Sequence, residues 1–301
     1  MKRFIYIFSV LIILSSCKDK KVDYQTNECK QQPAFLKKIG FDPSRSAFTT
    51  SEKRLNGLSV IQINKPGDTT NGGRKLYRDT SWTKYGYMGP IQIDPKGNCF
   101  VAPVPVINLI DNPIVLQNII YKVDGNTGLM KSFVNLPVLD TLGVTNPYGI
   151  LGFAYLCESN ILYVSTVQGS TRANERGIIY AVNEAGTIID KIENIDAFGI
   201  GIAYVDDARK LFIGSARTPD IFEISLDEEG KFIGTKKPVT TIAGLGPRGD
   251  DKARKIRFDK NGNMEIFALE FNYNLTAPTE KQETKYLFAW NEEEKKWVNN
   301  K

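Results

Sequence analysis

The chain has 301 residues, with 39 Lys and Arg against 34 Asp and Glu and no histidine. A formal charge of +5, spread along the chain, describes a solvated surface rather than a nucleic-acid footprint. The missing imidazole excludes Ser-His triads, Cys-His dyads and histidine-held zinc within this chain, which leaves carboxylates, Lys, Tyr, Ser or an oxygen-bound metal for any catalysis.

The first residues read as an export signal. Met1-Lys2-Arg3 is basic, and residues 4–14, FIYIFSVLIIL, form an apolar run shorter than the about 20 residues of a membrane span. Leu14-Ser15-Ser16-Cys17 resembles the lipobox of bacterial lipoproteins. That resemblance implies cleavage before Cys17 and a diacylglycerol on its thiol. The chain then divides into a leader (1–16), a lipid-anchored tether (17–35) and a folded domain (36–301). The residue after Cys17 is Lys18 rather than Asp, which by analogy with lipoprotein sorting implies the outer membrane. Residues 18–32 are polar, as a flexible tether should be. Cys29 falls in it, Cys99 begins a predicted strand and Cys157 falls in a predicted turn. A Cys99–Cys157 bridge is one reading; a buried thiol with one exposed thiol is the preferred one, since neither has metal or redox spacing.

Strand signals begin with LSVIQIN (58–64) and RKLYRDTSW (74–82), which read as the outer two strands of an incomplete unit. Four full units follow. Their first strands are GPIQID, GILGFAY, GIGIAYV and RKIRF; their second are CFVAPV, LYVSTV, LFIGSA and EIFALEF. The third are NIIYKVD, GIIYAVN, DIFEISL and KYLFAWN; the fourth are LMKSFVNL, TIIDKIENI, KFIGTKK and KKWV. Turns rich in Gly, Asp and Asn separate them. A lone four-stranded meander exposes two apolar faces, and radial stacking of such units covers both. The expectation is therefore an all-β fold, a β-propeller of four-stranded blades, with five counted and a sixth if residues 38–57 add a blade. Pairing of strands from the two chain ends is expected to close the ring.

Segments leading into the first strands should converge at one mouth of the central channel. They contain Asn146, Asn194, Asp196, Asp250 and Asp251, with Arg248 and Arg254 beside them. Oxygen donors in a ring suit calcium or another divalent cation, so Asn146, Asp196 and Asp250 are candidate metal ligands. The same carboxylates beside Arg also read as ion pairs at blade junctions. Asn194, Arg248, Asp251, Arg254 and Glu270 are candidate ligand contacts, Glu270 alternatively being a buried partner of Arg217. Arg248-Gly249-Asp250 reads as a tight turn with a salt bridge. The apolar insertion VPVINLIDNPIVLQN (104–118) reads as a cap, a partner patch or packing over a blade edge.

Over about residues 57–300, this blade pattern and its glycine-led first strands resemble the propeller class of gluconolactonases, luciferin-regenerating enzyme and regucalcin-type proteins. The resemblance implies six blades and a divalent ion held by a Glu before Gly-Pro, two Asn and an Asp. It also implies lactone or ester hydrolysis through a metal-polarised carbonyl. Gly89-Pro90 is present, but Met88 precedes it, and Tyr148 and Phe198 stand directly before the leading glycines. Asn146 and Asp196 lie two residues further back, a shift of about 6–7 Å along a strand. The leading expectation is thus a lipid-anchored envelope module that binds a glycan, peptide or partner protein at the mouth. The alternative is a metal-dependent lactonase or esterase; no catalytic residue is assigned.

Overall fold

The computed structural model describes residues 31–300 apart from 53–54, 106–108, 139–145, 206–207 and 275–281. The export signal, Cys17 and Cys29 lie outside the described residues. Five antiparallel sheets stack as the blades of a β-propeller. The first is three-stranded: β1 (Ser46–Thr49), β2 (Ser59–Ile63) and β3 (Arg74–Tyr77). The second runs β4 (Met88–Ile93), β5 (Cys99–Pro103), β6 (Ile119–Val123) and β7 (Met130–Asn135). The third runs β8 (Ile150–Leu156), β9 (Ile161–Thr166), β10 (Ile178–Val182) and β11 (Ile188–Glu193). β12 (Ala197–Val205), β13 (Ala208–Ser215), β14 (Asp220–Leu226) and β15 (Phe232–Thr241) form the fourth. β16 (Lys252–Phe258), β17 (Met264–Leu269), β18 (Thr284–Asn291) and β19 (Lys296–Asn299) form the fifth. Every described sheet is built from one contiguous stretch of chain, so among the described residues no strand from one end pairs with the other, contrary to the expected closure. Residues 38–57 add β1 to the first blade rather than a sixth blade.

The pattern along each blade follows from its radial position. The middle strands are sandwiched between neighbouring blades, and β9 and β10 are buried along their whole length, which suits their β-branched and aromatic runs ILYVST and IIYAV. The outermost β15 is largely exposed and carries Lys236, Lys237 and Pro238 with two register shifts, devices that discourage pairing at an edge. Apolar clusters fill each junction between consecutive blades. Tyr163, Ile179 and Ile213 pack between the third and fourth. Phe212, Phe258 and Trp297 pack between the fourth and fifth, with Phe212 and Trp297 edge to face at 5.9 Å.

The incomplete first unit differs most from expectation. Trp82, read as strand, lies in a 3-10 segment (Thr80–Tyr85) and is fully buried, its indole donating to the Gly128 carbonyl of the second blade at 3.1 Å. The short helix α1 (Phe35–Lys38) buries Phe35 and Leu36 in the same cluster. Packing against the propeller therefore starts within the stretch read as tether: Pro33 is buried and Phe35 N–H donates to Gly125 O at 3.0 Å.

One irregularity recurs. The innermost strands β4, β8, β12 and β16 each slip register near their first residues: at Met88/Ile91, Ile150/Gly152, Ala197/Gly199 and Ala253/Lys255. A bulge bends a strand and re-aims its side chains. The bulges also set the true phase of the repeat. Gly152, not Gly149, is the counterpart of Gly199, so GILGFAY and GIGIAYV align three residues away from the phase their leading glycines suggest. A Cβ on Gly199 would overlap the Arg254 backbone of the next innermost strand, which accounts for a glycine there.

Candidate functional site

The antiparallel meander sends the β9–β10, β13–β14 and β17–β18 loops, and the segments joining blades, to one end of the channel. There the Asp196 carboxylate is fully buried and meets four donors. Its Oδ1 accepts from Ser170 Oγ at 2.5 Å and Gly177 N at 2.8 Å. Its Oδ2 accepts from Arg217 Nη1 at 3.0 Å and Tyr273 Oη at 2.5 Å. The Asp196 amide donates to Glu175 Oε1 at 2.9 Å, and Arg217 also donates to the carbonyls of Thr171 and Arg172 at 2.9 and 2.5 Å. Three loops of three blades are thus fastened to one carboxylate. Burial, with the Asp196 charge beside it, pushes the Tyr273 phenol well above its usual value, so the phenol is a donor here.

Asn146 joins this network by one step. Its amide donates to Val167 O and Ser170 O at 2.8 and 2.9 Å, and its Oδ1 accepts from Tyr148 N at 3.0 Å. Asn146 and Asp196 therefore meet through Ser170. Asp250 does not join them: its side chain is 73% exposed beside Lys252. Asn194 is exposed in a left-handed turn at φ 59°, outside this network. Arg248 clasps the buried Asp251 through two bonds, 2.5 and 2.7 Å, and donates to Gln282 O and Thr284 Oγ1. The salt bridge foreseen in the Arg248-Gly249-Asp250 turn thus falls on Asp251. Arg254 pairs with Glu283 at 2.5 Å. Arg217, the alternative partner that the sequence offered for Glu270, holds Asp196, while Glu270 lies in the field of Arg248. Among the described residues no group of three Asp, Glu or Cys side chains gathers as a metal cluster would.

An aromatic cluster lies beside the Asp196 network. Phe198 and Leu151 occupy the bulges of β12 and β8 and pack with Val167, Ala216 and Tyr273. Phe271 bridges them: its ring centroid lies 4.7 Å from Phe198, 5.5 Å from Tyr148 and 5.3 Å from Tyr273. Tyr148 and Phe271 stay half-buried, and the exposed Arg172 and Arg176 stand on the β9–β10 loop. The insertion after β5 exposes Ile110, Val115 and Leu116 at this end, while burying Asn112, Gln117 and Asn118. Sequence reasoning missed Ser170 and Glu175, and named none of Tyr148, Phe198 and Phe271 as site residues. The signal for both was at hand: aromatic residues directly beside the leading glycines, and a polar insertion, QGSTRANERG, between two buried strands.

Cys99 is a buried free thiol and Cys157 is disulfide-bonded, so the two do not pair. No family model matches the chain, and no curated protein matches it in sequence. Among solved structures it is similar to the nidogen/laminin complex, at 9% identity with a TM-score of 0.45, covering 81% of this chain and 89% of that one. It is also similar to luciferin-regenerating enzyme, at 11% identity and a TM-score of 0.46 over 81% and 80% of the two chains. A gluconolactonase from Xanthomonas campestris is similar at 14% identity and a TM-score of 0.41, over 70% of this chain and 64% of that one.

Proposed function

We propose that the protein is a lipid-anchored module of the bacterial cell envelope, held in the outer membrane through Cys17, that binds a glycan, peptide or partner protein at the channel mouth. The observation that carries the reading is the aromatic cluster around Phe271, in which Phe271 and Tyr148 stay half-buried at the mouth beside the buried Phe198 and Tyr273, with Arg217 over the Tyr273 ring. A concave, mainly apolar surface with a few fixed polar groups is the usual form of a ligand site. The Asp196 network supports that surface by fixing Tyr273 and Arg217 in place. On this reading Asp196 is a keystone of the loops rather than a metal ligand, because an ion there would displace two or more of its four donors. The anchor rests on the basic start, apolar run and Leu-Ser-Ser-Cys of residues 1–17.

Glycan and peptide arrays probed with the mature protein and with Phe271→Ala test the binding site. The expected result is one ligand class bound by the parent and lost in the variant while the variant stays folded. Binding unaffected by Phe271→Ala, or none on either array and no envelope partner in a pull-down, overturns the reading. Radiolabelled palmitate incorporation that survives Cys17→Ser would overturn the anchor separately.

A further inference from the structure

A blade has two faces, and each needs cover. Among the described residues, apolar clusters join the first blade to the second and so on to the fifth, but none joins the fifth back to the first. The far face of the first blade leaves Ile63 and Leu76 exposed. On the fifth blade Ile256, Ile266 and Phe288 are buried against the fourth. The alternate residues Lys255, Arg257, Glu265, Phe267 and Leu287 point the other way and are only half-buried, and Lys285 beside them is exposed. The strand register gathers this second face around one ring. Lys255 stands opposite Phe267 on β16, and Lys285 stands opposite it on β18. Their ammonium groups lie 5.7 and 5.6 Å from the centre of the Phe267 ring, and the Arg257 guanidinium lies 6.0 Å from it. The charges do not cancel. Lys285 is paired with Glu265 and Arg254 with Glu283, whereas Lys255 and Arg257 have no hydrogen bond or salt bridge among the described residues. Burial lowers the pKa of both, that of Lys255 to about 8, so each charge is held there at a cost in stability.

We propose that Lys255, Arg257 and Phe267 form a binding site for an acidic glycan, with a uronate carboxylate held by the two cations and the apolar face of its sugar ring laid on Phe267. Lys255 and Arg257 stand two residues apart on one strand, about 7 Å, so both side chains can reach one carboxylate. The guanidinium is the group that takes a carboxylate in a two-bonded fork. Cations without partners call for an anion. The ring narrows its kind: an inorganic anion would use the cations and leave Phe267 idle, whereas a uronate offers an apolar face and a charged rim together. A peptide recognised by a sheet adds a strand at a free edge. Phe267 stands on β17, which is paired on both sides, so the site is a face and not an edge. It lies on the fifth blade rather than in the Phe271 cluster, goes beyond the binding reading above and does not rest on it.

The test is calorimetric titration of the exported protein at neutral pH and low salt with tetragalacturonate, tetraglucuronate, their methyl esters and polyglutamate. The expected result is that at least one uronate binds and its ester, which keeps the ring and loses the charge, does not. Lys255→Met and Arg257→Gln should each weaken that binding about tenfold or more. Phe267→Leu, which keeps an apolar side chain and loses the ring, should weaken it about threefold or more. Lys255→Met removes a costly buried charge, so its loss of binding would not be a loss of fold. No binding of either uronate, equal binding of uronate and ester, polyglutamate bound as tightly as the uronate, or binding unchanged in Lys255→Met and Arg257→Gln overturns the proposal. None of these variants touches Phe271, so this site and the mouth can fail separately.

Discussion

The hydroxyl of Tyr273 donates to the carboxylate of Asp196 at 2.5 Å across 77 residues of sequence. The bond joins the loop after β17 to the segment leading into β12, and Arg217 completes it from a third loop. Removing the carboxylate leaves a guanidinium, a phenol, a hydroxyl and a backbone amide without their shared acceptor. Asp196→Ala should destabilise the fold by about 3–5 kcal/mol, read by denaturant unfolding. Tyr273→Phe, which loses the bond to Asp196 and the longer one accepted from Arg217 Nη1 at 3.3 Å, should cost about 1–2 kcal/mol. A double-mutant cycle between Asp196→Ala and Tyr273→Phe should return coupling; strict additivity would mean the two do not act together.

Close approach of the innermost strands makes a second prediction. Gly199→Ala places a methyl group against the Arg254 backbone, which cannot turn aside as a flexible side chain does. The expected loss is about 2–3 kcal/mol, with a lowered Tm. Gly234→Ala is the matching test of strain without crowding, since nothing lies within 4 Å of that position and its φ is 74°.

Lys255 gives a pH signature. Burial, aided by Arg257 and Arg254, lowers its pKa to about 8, with Glu283 opposing and the Phe267 ring 5.7 Å away. Between about pH 8 and the usual value of 10.5 the unfolded chain binds more protons than the folded one. Stability contributed by this site therefore rises with pH through that window and is lowest below pH 8. Lys255→Met should raise the Tm by a few degrees at pH 7, and the gain over the parent should shrink toward pH 10.5. A gain independent of pH would contradict the assignment.

Cys99 should be silent in the native state. Burial, with Asp94 nearby, pushes its thiol well above the ordinary range. Labelling by a thiol reagent should follow the unfolding rate and rise with denaturant, whereas prompt labelling at neutral pH would show an open route to the sulfur.

The blade pattern was legible because each strand type repeats in phase with its turns, and strand edges fell within a few residues of those read from GIIYAVN or DIFEISL. β1 escaped because SAFT is four residues long and borders a polar stretch. The phase of the leading strands escaped for a different reason. A bulge adds one residue without changing composition, so Gly149 looked like the match of Gly199 when the register assigns that place to Gly152. Asp196 could be chosen from sequence because it stands just ahead of a first strand. Its pairing could not be read, since Ser170, Arg217 and Tyr273 come from three loops and nothing local marks Arg217 for Asp196 rather than for Glu270.

Thermal unfolding of the mature protein in calcium and then in chelator tests the role of Asp196 most directly. A divalent ion at about 100 times its dissociation constant stabilises a fold by about 2.7 kcal/mol, or about 5–10 °C in a domain of this size. With the Asp196 carboxylate already committed to Ser170, Gly177, Arg217 and Tyr273, the Tm should be the same in both conditions and fall in Asp196→Ala regardless of calcium. A calcium-dependent rise abolished by Asp196→Ala would contradict this account and make the mouth an ion site.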